Sequence, residues 1–239
     1  MIQAAQGATG SFAEAARAAG ATGLPGPADY PPRRLFREGI SDYAIRDALL
    51  HKARHIRGRV LDLGCGDRRY QKVFAGCTES WLGVDWPGSP QQAWPEVMGD
   101  ALRLPLASGT FDTVLCTQVL EHVPEPLALL REARRVLKPG GCLVLTAPQY
   151  NGLHEEPRDF FRYTRYGLEH LIVGAGLQVR EVQPIGGFIA LFAFMATLHA
   201  APLRVWPIGG AWQWVCWRLD GLFPRPQDCL GNIVIAERP

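Results

Sequence analysis

The amino-acid sequence predicts an α/β protein. Its expected core is a doubly wound, mostly parallel sheet of seven strands with helices on both faces, and a helical apolar insertion precedes the last strand. Three observations predict this. From about residue 41, short apolar runs alternate with helical patterns. The first run, "RVLDL", ends in a glycine turn, "GCG", at 64–66. Residues 184–231 break the alternation before a final apolar run returns. At 239 residues, one domain is expected.

The elements follow in order. Residues 1–40 read as a flexible tail, rich in Ala and Gly up to residue 28, with a short helix near Phe12 to Ala19. Residues 41–239 form the domain. Ser41 is expected to cap a helix running to about Ile56. Strands are predicted at 59–63, 80–84, 96–98, 111–116, 141–147, 178–183 and 232–237, with helices near 69–75, 125–137 and 164–175. "KPGG" at 138–141 is expected to end a helix and start a strand. Parallel sheets of this kind bind ligands at the carboxyl ends of their strands, where the strand order reverses.

Composition narrows the function. The chain is 47% hydrophobic and 20% charged, with a net charge of +2, which argues against broad nucleic-acid binding. The cluster Arg131, Arg134, Arg135 and Lys138 reads as a solvated helix face. The six cysteines include no C-x-x-C pair, so neither a metal site nor a disulfide frame is expected. The start of the chain lacks a basic segment followed by an apolar one, so reduced thiols in a cytoplasmic protein are expected.

The glycine turn has two readings. A dinucleotide fingerprint needs a third glycine at position 69, where Arg69 stands. The second reading uses Asp62, an acid two residues before Gly64 that suits a ligand's ammonium group. Dinucleotides carry no ammonium there; S-adenosylmethionine does. Asp85 follows the turn by about 20 residues and suits two vicinal ribose hydroxyls. Trp86 is placed to pack on adenine, and Asp100 to accept from the adenine amino group. The fourth strand runs out into Gln118, Glu121 and His122.

With these residues in view, the sequence resembles the class I S-adenosylmethionine-dependent methyltransferases, a Rossmann-like family, of the small-molecule "methyltransferase type 11" kind. The resemblance runs from about residue 58 to 183. It rests on "VLDLGCG", "GVD", "GDALRLPLASGTFDTVLCTQVLEHV", "LREARRVLKPGGCLVLTAP" and "HEEPRDFFRYTRYGL", in order. It implies that Asp62, Gly64, Cys65 and Gly66 lie along the methionine part of the cofactor. It also implies that Asp85 and Trp86 hold the ribose and adenine, that Asp100 and Ala101 read adenine, and that Gln118 stands near the sulfonium. The family's usual third glycine is replaced by Arg68. The segment H-x-x-P-x-D-F-x-R-Y-T is similar to a bacterial subgroup found in polysaccharide or secondary-metabolite pathways.

Methyl transfer from a sulfonium needs alignment at about 3–3.5 Å more than it needs acid–base help. A base is needed for a hydroxyl acceptor. His154, His122 and Tyr163 are the catalytic candidates, with Glu121 beside them. The plainer reading makes His122 a cap or packing residue, and Asp159, Arg162 and Tyr163 an ion pair and anchor for the next helix. The expected partner is a small, partly hydrophobic or lipid- or glycan-linked acceptor, and no nucleic acid, since no N-P-P-Y motif follows the fourth strand. A cofactor-binding protein without methylation, a cyclase or partner subunit, is the alternative.

The insertion, residues 184–231, has three readings: a substrate cap, a membrane-surface or homodimer element, or a membrane span. Its clean apolar core "FIALFAFMATL" has eleven residues. A span needs about 20. Phe188, Leu191, Phe192, Met195 and Leu198 recur at helical spacing, so this face is expected to be buried as a cap over the acceptor.

Overall fold

A computed structural model describes residues 32–89, 95–200, 208–223 and 227–239. Of the expected tail over 1–40, residues 1–31 and the helix near 12–19 lie outside these residues, whereas 32–40 are helical and not a tail. The elements are α1 (Pro32–His51), β1 (Gly58–Leu63), α2 (Gln71–Phe74), β2 (Thr78–Asp85), β3 (Val97–Met98), β4 (Phe111–Thr117), α3 (Pro126–Val136), β5 (Leu137–Pro148), α4 (Arg165–Gly174), β6 (Gln178–Ile185), α5 (Phe188–His199), α6 (Ile208–Asp220) and β7 (Gly231–Glu237). The seven strands lie in the order β3-β2-β1-β4-β5-β7-β6. β7 runs antiparallel to both its neighbours and the other pairs are parallel.

Each central strand is buried on both faces, which is why it reads as a nearly continuous apolar run. Successive residues part to opposite sides. Leu61, Leu63, Val114, Leu143 and Val234 pack under α3 and α4. Val60, Leu115, Val144, Ile233 and Ile235 pack under α1, α5 and α6.

Two helix boundaries depart from expectation. A helical segment begins just after Gly39, next to the expected start at Ser41, but α1 as a whole reaches further back. It starts at Pro32 and breaks at Gly39, whose φ of 82° takes the left-handed path a glycine tolerates. α3 ends at Val136, and Lys138 to Gly141 lie inside β5. Leu137 is fully buried and pairs with Phe111, which pulls the chain into extended form early. The guanidinium of Arg238, from the far end of the chain, donates to the carbonyls of Arg134 (3.2 Å), Arg135 (3.1 Å) and Leu137. A distant arginine thus satisfies the helix end that glycine was expected to close. The basic cluster is also tied down: Arg135 pairs with Glu132 and Lys138 with Asp112.

The insertion is helical, as expected, but its buried face is a different one. Ala190 and Ala193 of α5 are fully buried, with Cys216 of α6 beside them, in the α1-side layer against Ile185, Leu230 and Ile233. Phe188 and Phe192 are 47% and 52% exposed. α5 is apolar all round, so periodicity alone names no inward face. The two alanines decide it, because they let the helix come close to its neighbours. Among the described residues, no helix is long and apolar enough to cross a membrane.

Asp220, at the end of α6, accepts the free N–H groups of Ile189 and Ala190 at 3.0 Å each and so caps α5 from outside. Trp217 meets Tyr43 of α1 edge-on at 5.3 Å between centroids. Asp220→Ala is expected to lower stability by about 1–2 kcal/mol, the cost of a lost cap. A urea midpoint that falls with an unchanged slope checks it.

Candidate functional site

The strand order reverses between β1 and β4, and the candidate residues gather at the carboxyl ends of β1 to β5. β1 delivers Asp62, 1% exposed. Its Oδ2 accepts from Trp81 Nε1 at 3.2 Å, and its Oδ1 is buried without a hydrogen-bond partner. Burial raises its pKa to about 7, and the nearby Asp85 adds to the rise.

The chain then turns. Gly64 and Gly66 have φ of 72° and 49°. A side chain at Gly64 would place a Cβ 2.3 Å from Val119 Cγ2. The N–H groups of Gly64 and Cys65 donate to Val84 O at 2.8 and 3.2 Å. Asp85 Oδ2 accepts from Gly66 N at 2.8 Å, and its Oδ1 accepts from Trp86 N at 2.8 Å. Asp85 therefore ties the end of β2 to the turn after β1. Cys65 is buried and its thiol is pushed up to about 12, so it stays protonated. Arg68, in the place of the family's third glycine, keeps a positive φ of 58° and pairs with Glu96.

The other candidates are spread around this turn. Asp100 is exposed, and its Oδ1 accepts from Leu102 N at 2.9 Å in a local turn. Ala101 is half-buried beside it. Gln118 holds the strained φ of 53°, anchored by bonds to Thr146 from its backbone (3.1 Å) and from Nε2 (3.2 Å). Trp86 carries the guanidinium of Arg158 at 3.6 Å from its ring centroid, so a nucleobase stacking there would share or replace that contact.

The histidines form a second group. His122 follows β4 in a short turn of 3-10 helix, and His154 comes from the loop after β5. Their rings meet edge-on at 4.8 Å. Glu121 is fully buried, with no hydrogen bond to either carboxylate oxygen, and burial lifts its pKa to about 8. Asp159 has a bidentate pair with Arg162 (2.6 and 2.8 Å) and accepts from His154 N at 3.0 Å. The arginine holds its carboxyl down to about 2.

Tyr163 leaves the catalytic set. Its hydroxyl donates to Leu120 O at 3.0 Å, the residue is 6% exposed, and burial pushes its pKa up. Together with the Asp159–Arg162 pair it anchors the loop before α4. Sequence reading missed Trp81, Glu96, Val119, Thr146 and Arg158. Each touches the site across many residues of chain, so no local spacing signals it.

Residues 61–145 match a family model described as a methyltransferase domain. An uncharacterized methyltransferase of Mycobacterium bovis is 32% identical over 168 residues, 65% of this chain and 63% of that protein. The chain thus spans less than two thirds of the length of that relative. A S-adenosylmethionine-dependent methyltransferase structure from Archaeoglobus fulgidus superposes with a TM-score of 0.56 at 18% identity, over 84% of this chain and 96% of the other. The [4+2]-cyclase SpnF superposes with a TM-score of 0.50 at 22% identity, over 76% of this chain and 74% of the other. At such identities these likenesses show the fold. Residues 61–145 thus match the methyltransferase domain, and the sheet has the fold of S-adenosylmethionine-dependent methyltransferases.

The buried Asp62 gives a testable sign. Unfolded, its carboxyl titrates near about 3.9; folded, near about 7. Between these values the folded state keeps a proton that the unfolded state has lost. Stability therefore falls as pH rises from about 4 to about 7, and the deficit is complete above that. Asp62→Asn removes it. The ligand-free variant is expected to gain urea midpoint over the parent as pH goes from about 5 to about 8.

Proposed function

We propose that this protein transfers the methyl group of S-adenosylmethionine to a small, partly hydrophobic or lipid- or glycan-linked acceptor in a biosynthetic pathway. One observation carries the reading: a buried carboxylate oxygen, Asp62 Oδ1, stands unpartnered beside a glycine turn at the point where the strand order reverses. A buried acid in that state calls for a cationic donor, and the cofactor's ammonium is one. The cofactor supplies a methyl already activated by the sulfonium. The chain's own residues have to hold and align.

In this reading Asp62 binds the ammonium, and Gly64, Cys65 and Gly66 let the backbone approach. Asp85 turns to the ribose, Trp86, Asp100 and Ala101 border the adenine, and Gln118 stands by the sulfonium. His122 and His154 face the acceptor and ease the loss of its proton. The loop after β5 supports an acceptor with apolar parts, because it exposes Tyr150, Leu153, Phe160 and Phe161 near the histidines. The alternative, a cyclase, would use the same cofactor seat without a gain in acceptor mass. Product mass separates the two.

Calorimetry with S-adenosylhomocysteine tests the cofactor seat. Asp85→Ala is expected to weaken binding more than tenfold, about 1.4 kcal/mol or more, since it also frees the Gly66 turn. Unchanged affinity overturns the assignment.

The reading also gives α5 and α6 a peripheral contact with a lipid surface. Phe188, Phe192, Trp214, Leu219, Leu222 and Phe223 are all exposed on or beside these helices. The six thiols are free, which suits the cytoplasm. Anionic vesicles are expected to float the protein, and Phe192→Ser with Trp214→Ser to abolish it. Absence of flotation with dimers in sedimentation would assign the patch to a second copy instead.

A further inference from the structure

We propose that Glu121, His122 and His154 form a binding site for a divalent first-row metal ion, such as Zn2+ or Co2+, beside the acceptor. The role given to the ion rests on the methyltransferase reading; the site itself does not.

The argument is one of lone pairs. His122 Nδ1 lies 2.7 Å from the carbonyl of Arg158, and His154 Nδ1 lies 3.0 Å from the carbonyl of Gly152. A carbonyl only accepts, so His122 Nδ1 carries the hydrogen and its Nε2 presents a lone pair; His154 Nδ1 lies closer to the Gly152 carbonyl than to the Arg162 guanidinium at 3.4 Å, which favours the same tautomer there. Metal-binding histidines are held in this way, with one ring nitrogen donated to a backbone carbonyl. His122 Nε2 then faces two carboxylates, Glu121 Oε1 and Glu155 Oε2, each at 3.9 Å. That is beyond hydrogen-bond reach. The ligand atoms of Glu121, His122 and His154 all lie within 4.8 Å of one another. The carboxylate of Glu121 and a ring nitrogen of each histidine therefore converge on one space.

Glu121 sharpens the point. It is fully buried, and neither carboxylate oxygen has a hydrogen-bond partner. It is also fixed in place, because its carbonyl accepts from the N–H groups of Phe160 (2.9 Å) and Phe161 (3.3 Å). The charged form of a carboxyl held out of water without partners is costly, and a metal ion is one of the few groups that offset the cost. His154 is steadied in turn by Asp159, which the Arg162 guanidinium holds from the other side.

The donor set suggests the metal. Two imidazoles with one carboxylate suit zinc, iron, cobalt or nickel better than magnesium or calcium. Ligands about 2.1 Å from a tetrahedral centre stand about 3.4 Å apart, so the cluster has to close by up to about 1.4 Å on binding. His122 stands in a short 3-10 turn and His154 on the loop after β5, and the closure requires these two segments to shift. Three protein ligands leave a position open for an acceptor oxygen. Methylation of a hydroxyl forms one O–C bond, breaks the C–S bond with its electron pair returning to sulfur, and releases one proton. An ion next to that oxygen lowers the hydroxyl pKa, so the proton passes to solvent. The acceptor class that follows is one presenting a hydroxyl.

The test uses the full chain after chelator treatment. Co2+ is titrated by calorimetry and visible absorption, with S-adenosylhomocysteine affinity measured alongside. One equivalent is expected to bind with nitrogen–oxygen absorption bands and no thiolate charge-transfer band. Glu121→Gln, His122→Ala and His154→Ala are each expected to lose at least tenfold in Co2+ affinity. His154→Ala, on the more exposed loop, guards against a folding defect at the buried glutamate. No saturable Co2+ or Zn2+ binding, or binding that these variants leave unchanged, overturns the metal site. Loss of S-adenosylhomocysteine binding by the parent protein would instead strike at the methyltransferase reading.

Discussion

The carboxyl edge of the sheet is governed by one constraint: it holds carboxyl groups out of water without giving all of them partners. Asp62 has one oxygen bonded to Trp81 and the other alone. Glu121 has neither bonded. Ionising such groups costs several kcal/mol in the absence of a cation, so their charged forms await one. Around them the fold keeps its shape by other means, through the closely packed sheet and the hydrogen-bonded turns at the strand ends.

Two neighbouring acids behave in the opposite way. Asp85 is satisfied by the backbone of Gly66 and Trp86, and Asp159 by Arg162 and His154 N–H. The satisfied acids position loops. Asp85 sets the glycine turn against β2, and Asp159 sets the His154 loop against the start of α4. The unsatisfied acids then lie next to structures that cannot easily move away. An acid's partners thus separate the two roles, although all four residues look alike in the chain.

Much of the fold was legible. The strands with both faces buried gave apolar runs, and the turn "GCG" marked where the first of them ended. What failed was local capping logic. Ser41 and "KPGG" are sound cap and stop signals, yet Gly39 breaks the first helix and Arg238 closes the third from the end of the chain. The face of α5 was also illegible, since every side of it is apolar and only packing against α1 and the sheet selects Ala190 and Ala193.

The site divides along the same line. The sequence by itself determined the spaced acids after successive strands, Asp62, Asp85 and Asp100, and the histidines near the fourth and fifth strand ends. These follow from short-range patterns: a strand period, a turn, a fixed interval. Only the tertiary structure decided which acids are paired, that Tyr163 is an anchor, that Arg158 lies on Trp86, and that Glu121 turns its carboxylate toward two histidines. The physical reason is that burial and hydrogen-bond satisfaction depend on what other strands and loops bring alongside, and those partners lie many residues away.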